Sequence, residues 1–574
     1  MVINMKIVKM LVCYLAVISM IAMLGGCATE NDDEPRSTES AAATQEVPTV
    51  SQIPELENPY EDRTDLIIQS WGEYVSRPKR IQEGTVLNYQ IKENVLSLTP
   101  WFNNDESWIM GNVFEGLLYM YMNDPGDIRG LIAENWTISD DYLTWTFQIR
   151  EGLEFTDGTV CDANAIERSW SLYESQFSFA RCNIVSWEAA SSNEFVVKLS
   201  EPCGFLELAL SGRSFPILSP DALELHGADD YRSAVSTGPY YIKSCTPGES
   251  VTLSANENYY FEEKLPAIET VNLSATTINS QNAFDELING KIDGLLFSET
   301  ATYKTLLEHS SEIDTIATLS GANTTLWMNA EVVPAFQLFE VRKAMNRFID
   351  FNAVNEELFN GMGLVMDSLW APGTSSYVPT DQYYYDVKGG QELLASVGLA
   401  ASEIEFELTF QDLSFSNDIT DMLESIQNQL SKAGTNMTLN RIGRESSMFY
   451  KPNETAFAIG SVGYRNTEPY LPWWYSFSEM KRVLNVCWQE SYNPELYMEM
   501  TSEYNKMTKG SMSFEEVISH SQNLTKYVQD DFGAIIGVQE PAFVALSRDF
   551  KNGIYFTENQ NLQFYYLFFQ KEST

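Results

Sequence analysis

The 574-residue chain is poor in histidine: His226, His309 and His520 are the full set, far apart in sequence. Zinc and most transition-metal sites draw on clustered His or on Cys-x-x-Cys pairs, and neither pattern occurs. No metal and no cofactor is therefore expected. Basic residues are also scarce, with 36 Lys and Arg against 80 Asp and Glu and a net charge of −44. A surface so acidic repels phosphate backbones, which excludes nucleic acid as a partner. Gly-x-Ser-x-Gly, His-Glu-x-x-His and the Gly-rich phosphate loop are missing, as is any internal repeat of fixed period. What the chain does have is 44% apolar residues and 13% aromatics. That is enough to bury the cores of two or three domains, so wholesale disorder is excluded.

The first thirty residues read as a targeting segment. Lys6 and Lys9 precede an apolar run, Met10 to Leu24, broken only by Ser19. The run is short of the ~20 residues of a membrane-spanning helix and suits the core of a secretory signal. It ends Leu24-Gly25-Gly26-Cys27, which resembles the bacterial lipobox. That resemblance implies cleavage after residue 26 and lipidation of Cys27 on the outer face of a bacterial cell membrane. The following segment, to about Pro59, is rich in Ser, Thr, Ala, Glu, Asp and Pro. It cannot bury enough apolar surface to offset its ordering entropy and reads as a flexible tether.

Export permits disulfides. Beyond Cys13 and Cys27, five cysteines remain: Cys161, Cys182, Cys203, Cys245 and Cys487. An odd number leaves at least one thiol unpaired within the chain, and the spacing fixes no pairing. Downstream of Arg80 short strand and helix patterns alternate. Val86–Ile91, Trp145–Arg150 and Glu194–Leu199 have strand character, while Val341–Ile349 and 419–430 carry helical apolar spacing. Asp162 is placed to cap a helix, and Ala433-Gly434 to stop one. This mixture predicts an α/β chain with antiparallel sections.

Several segments, in order, resemble family 5 of the extracellular solute-binding proteins, the dipeptide and oligopeptide binders of ABC importers. They are Leu131–Phe147 (LIAENWTISDDYLTWTF), Arg150–Thr159 (REGLEFTDGT), Thr237-Gly238-Pro239-Tyr240, Asn256–Tyr260 (NENYY), Gly290-Lys291-Ile292-Asp293 and Val341-Arg342-Lys343-Ala344. The resemblance spans roughly residues 83–350, with weaker echoes beyond. It implies an α/β, two-lobed clamp of the type II periplasmic-binding-protein kind, in the large family 5 variety, with mixed sheets and a hinge of two chain crossings. The implied organisation is a signal over 1–26, a lipidated Cys and tether over 27–82, lobe I over 83–324, lobe II over 325–540 and a return to lobe I over 541–574. The crossings would lie near Leu326–Asn329 and Val538–Ala542. The implied role is capture of a peptide or small-molecule ligand by a monomer, with delivery to ABC permease subunits and no chemistry.

Peptide binders of this family carry a lobe II stretch in which an Asp pairs with the ligand's amino group. The matching stretch here is Ser461–Tyr470, with Arg465 at the position of that Asp. The exchange of charge favours a carboxylate or phosphate over an ammonium. Tyr464 and Asn466 flank it. Trp473 and Trp474, in a run of six residues with four aromatics, suit a ligand-lining wall. Trp101 and Asn103 sit where the family's early loops approach the cleft. An exported carbohydrate-active enzyme or a surface sensor on the same clamp are the alternative readings, with an anionic or sugar-like ligand in place of a peptide.

Overall fold

The structure is a computed structural model. It describes residues 68–70, 78–92, 111–120, 127–174, 179, 182–211, 215–227, 230–276, 281–297, 300–330, 332–370, 376–411, 418–442, 456–459, 493–510, 513–551, 554–556, 561–562, 564 and 567–570. All of these lie within one unit, Val50–Thr574.

The strands used below are, in chain order, β1 (Gln82–Lys92), β2 (Ala133–Ile138), β3 (Thr144–Ile149), β4 (Ile184–Ser191), β5 (Glu194–Leu199), β6 (Tyr240–Thr246), β7 (Ser250–Ala255), β8 (Ile268–Thr276), β9 (Gly294–Phe297), β10 (Ile313–Trp327), β11 (Leu364–Val365), β12 (Glu405–Gln411), β13 (Asn436–Ile442), β14 (Ala456–Ile459) and β15 (Ala534–Ser547). The helices are α1 (Ala163–Leu172), α2 (Pro220–His226), α3 (Phe339–Arg347), α4 (Phe351–Phe359), α5 (Val387–Ser396), α6 (Asp418–Ala433), α7 (Pro494–Asn505) and α8 (Phe514–Asp530).

Among the described residues eleven strands join one mixed sheet, in the order β13-β12-β14-β10-β15-β9-β1-β8-β7-β6, with β11 beside β15. A separate four-stranded antiparallel sheet, β2-β3-β5-β4, lies within the span expected as lobe I. Alternation explains its strands: in β3 the large residues Trp145, Phe147 and Ile149 face inward and Thr144, Thr146 and Gln148 less so, the period-two pattern of a sheet with one buried face. Helix α1 covers that face. Asp162 caps it by accepting from Ala165 N at 2.9 Å. Trp170, fully buried on α1, meets Phe195 at 5.1 Å and Phe179 and Phe215 at 5.4 Å between ring centroids. An aromatic cage of this kind is worth ~3–5 kcal/mol against alanine.

The span expected as lobe II is bracketed by two paired strands. β10 and β15 pair antiparallel from Ile313↔Ser547 to Trp327↔Ala534. Residues 328–533 therefore leave and re-enter through one end of that ribbon. Within them, β12, α6 and β13 form a parallel βαβ unit, since β12 and β13 pair in parallel and α6 supplies the crossover. Gly434, at φ +101°, ends α6 in a conformation that side chains resist. A separate apolar core, including Val341, Met345, Phe348, Leu408, Met422, Ile426 and Leu430, fills part of this span, while Trp370, Val517, Leu524 and Val528 join the cluster that holds Trp145 and Trp170.

Ile68–Ser70, inside the span expected as tether, pairs with Ile554–Phe556. Among the described residues, no helix is long and apolar enough to cross a membrane.

Candidate functional site

A clamp needs a hinge that crosses between lobes, lobes that hold their shape, and facing surfaces. The ribbon supplies the first. Thirteen consecutive residues of β15 are buried, and its register against β10 slips between Leu319 and Asn323 and again before Thr325. Such irregularity bends and twists a strand locally. The expected crossing residues Trp327, Met328 and Asn329 are all buried here, as part of the core. Just beyond, the buried Arg342 of α3 ties the ribbon's exit in place. It donates to Phe336 O at 2.8 Å and to Asp531 O at 2.9 Å, and pairs with Asp531 Oδ2 at 2.6 Å. The planar fork reaches several acceptors at once, which a lysine could not.

The family-like segments also find physical reasons. Glu115, 2% exposed, sits in the apolar run Val113-Phe114-Glu115-Gly116-Leu117. Its carboxylate accepts from Tyr259 OH at 2.6 Å, Thr237 Oγ1 at 2.9 Å and Tyr260 OH at 3.1 Å, with Lys264 Nζ at 4.0 Å. Burial, and then the Glu115 charge, push the Tyr260 phenol well above its ordinary pKa, so it stays a donor. Gly238 lets this knot close: a Cβ there would stand 2.2 Å from Val113 O. Asn256 Nδ2 donates to Gly238 O at 3.1 Å, which joins the two motifs. Asp293 accepts from Asn88 N at 2.7 Å and Asn88 Nδ2 at 3.1 Å, clipping the turn before β9 onto β1. Burial raises its pKa and Asn88's donors partly offset that. Asp157 accepts from Thr159 N and Ser219 Oγ, at 2.9 and 2.8 Å, with Gly158 at φ +82° between them. These groups are saturated by the protein and shape the scaffold.

The α7–α8 hairpin, in the span expected as lobe II, touches the β4–β5 sheet, in the span expected as lobe I. Asn183 Nδ2 donates to Thr508 O at 3.4 Å, and Lys509 Nζ stands 3.4 Å from Glu201 Oε2. Glu503 anchors the hairpin. It accepts from Lys506 Nζ and His520 Nδ1 at 2.8 Å and from Asn523 Nδ2 at 3.0 Å. Burial would raise its pKa, but the hydrogen bonds from Lys506, Asn523 and His520 outweigh that and bring it down to about 2. His520 was expected to stand isolated in the sequence; the hairpin turns it onto Glu503, 17 residues away. His226 ends α2, with Gly227 at φ +82° next to it.

The expected ligand residues Trp101, Asn103, Tyr464, Arg465, Asn466, Trp473 and Trp474 lie outside the described residues, as do Cys27 and Cys487. Cys161, Cys182 and Cys203 are buried, and Cys245 is half-buried. Burial drives the Cys161 thiol far above its ordinary pKa, with the Asp162 and Glu115 charges adding to it. Among the described residues no group of three or more His, Cys, Asp or Glu is placed to hold a metal ion. The sequence reading missed Glu115. An acid alone in an apolar run was its visible signal, because burying such a charge demands several donors.

The sequence profile described as "Bacterial extracellular solute-binding proteins, family 5 Middle" matches residues 127–481. The glutathione-binding protein GsiB of Escherichia coli K12 is 24% identical over 359 residues, covering 60% of this chain and 67% of GsiB. Among solved structures, NikA from Brucella suis in complex with Fe(III)-EDTA superposes with a TM-score of 0.70 at 18% identity, over 84% of this chain and all of NikA. The oligopeptide-binding protein AppA from Bacillus subtilis, in complex with a nonapeptide, gives 0.68 at 17%, over 86% of this chain and all of AppA. Those two likenesses establish the fold, a type II clamp. With the profile covering more than half of the sequence, the chain belongs to family 5 of the bacterial extracellular solute-binding proteins, the substrate binders of ABC importers, and is not an enzyme.

Proposed function

We propose that this protein captures a peptide or peptide-like solute by closing its two lobes, and hands it to ABC permease subunits. Cys27 anchors it by lipid to the outer face of a bacterial cell membrane, where it acts as a monomer. The first lobe comprises 83–324 and 541–574, the second 325–540. The observation that carries this reading is the ribbon: residues 328–533, the bulk of the second lobe, leave and re-enter it where Trp327 pairs with Ala534. A body hung on two adjacent strands can rotate as a unit, with the φ/ψ change confined to a few residues. A closed cleft then removes the solute from water and gives its polar groups fixed partners. The anchor keeps the binder close to its permease and raises its effective concentration there.

The ligand contacts in this reading are Tyr464, Arg465, Asn466, Trp473, Trp474, Trp101 and Asn103. Relatives named for glutathione and a neighbour holding a nonapeptide support a peptide-like solute. Arg465 then selects an anionic end, where a guanidinium pairs with a carboxylate through two hydrogen bonds. A thermal-shift panel of reduced glutathione, longer peptides, oligosaccharides and anionic metabolites tests this. A true ligand at a hundredfold over its dissociation constant adds about 2.7 kcal/mol of stability. Stabilisation by cationic, carboxylate-blocked peptides and by none of the anionic compounds would overturn the Arg465 assignment.

A further inference from the structure

The turn that joins α7 to α8 is unusual. Lys506–Gly510 is a π-helical turn, a rare conformation frequent at functional sites. Three contacts seat it on the first lobe. Met507 is fully buried, in the same apolar cluster as Cys182, Ile184, Cys203 and Phe205. Thr508 O accepts from Asn183 Nδ2, and Lys509 pairs with Glu201.

Both sides are built in advance. Asn183 has φ +59°, in the left-handed region where Asn is among the tolerated residues. Its carbonyl accepts from Ser200 N at 2.9 Å, and its amide also reaches Pro202 O at 3.4 Å. The ends of β4 and β5 are thereby fastened together beneath the turn. On the other side, Glu503 gathers Lys506, His520 and Asn523, and Thr508 Oγ1 donates to Tyr504 O at 2.9 Å. Neither platform depends on the other for its own hydrogen bonds.

We propose that the π-turn Lys506–Gly510 is the closing latch of the clamp. Seated on Asn183 and Glu201, it holds the lobes shut around a captured solute and sets how long that solute stays. The inference rests on the two-lobed capture reading. Met507 supplies the apolar anchor. Lys509 and Glu201, with side chains 53% and 49% exposed, supply an ionic pair that water and salt can reach. A pair open to water parts easily, so the latch opens readily once the permease pulls the lobes apart, and two like charges in its place push the turn off its seat.

The test is small-angle scattering on the full detergent-solubilised chain carrying Glu201→Lys, Lys509→Glu, or both. Each single reversal sets two like charges facing and should raise the radius of gyration. The double swap restores opposite charges and should return it to the wild-type value. The single-variant effect should fade at 1 M salt, where charges are screened within ~3 Å. Met507→Ala should expand the chain at low and high salt alike. Singles that match wild type, or a double as expanded as the singles, would overturn the latch. The wild type is also measured as isolated and after on-column refolding, which strips bound solute. A radius that responds to stripping but not to the charges sinks the latch alone. One that responds to neither sinks solute-driven closure as well.

Discussion

Thr237 donates its hydroxyl to Glu115, 122 residues earlier in the chain, at 2.9 Å. Tyr259 and Tyr260 complete the same carboxylate's shell. The TGPY and NENYY segments therefore act on one buried charge. Glu115→Ala should strand three hydroxyls and Lys264 and cost about 3–5 kcal/mol, as breaking a buried ionic cluster does. Glu115→Gln keeps an acceptor and should cost less. Urea unfolding of the two variants checks the order; equal and negligible losses would contradict it.

Gly238→Ala and Gly158→Ala separate two reasons for glycine. At 238 an added Cβ meets Val113 O at 2.2 Å, backbone against backbone. At 158 nothing lies within 4 Å, but φ is +82°. The first should exceed about 4 kcal/mol and deplete folded protein. The second should cost about 1–2 kcal/mol, the strain of a side chain in left-handed backbone. Thermal unfolding of both variants reads the difference.

Much of this frame was legible in sequence. β3, the Asp162 cap and the Gly434 stop are local events, set by neighbours within a few residues. The partners of Glu115 come from over 120 residues away, and no local pattern names them. The separate sheet β2-β3-β5-β4 was invisible for a related reason: alternation marks a strand but not which sheet it joins. The helix read as Val341–Ile349 runs from Phe339 to Arg347. Within it Arg342 reaches 189 residues along the chain to Asp531 O, a tertiary contact that periodicity does not report. Of the candidate site, the scaffold motifs were legible, whereas the ligand residues rest on the resemblance alone.

Glu503 makes stability depend on pH. Its folded pKa, about 2, lies below its ordinary 4.5. A depressed carboxyl contributes stability that is present above the ordinary value and lost as pH falls through the folded one. The stability gap between wild type and Glu503→Gln should therefore be full at pH 6, shrink from about pH 4.5, and close near pH 2. Denaturant titrations across that window check it. A gap independent of pH would contradict the ionised hub.

On the proposed lipid anchoring, Cys27→Ser should release the chain from membranes into the soluble fraction, because the acyl chains would be lost with the thiol. Fractionation with a high-salt wash reads this directly. A variant that stays with the membrane would contradict lipid anchoring.

The central claim is that this chain closes on a solute and returns it unchanged. Native mass spectrometry of the full chain, extracted in detergent without unfolding, tests it most directly. The account predicts a defined extra mass, released intact on denaturation, from a peptide-like molecule with an anionic end. Release of a cleaved product, or a bound peptide whose carboxylates are all blocked, would contradict it.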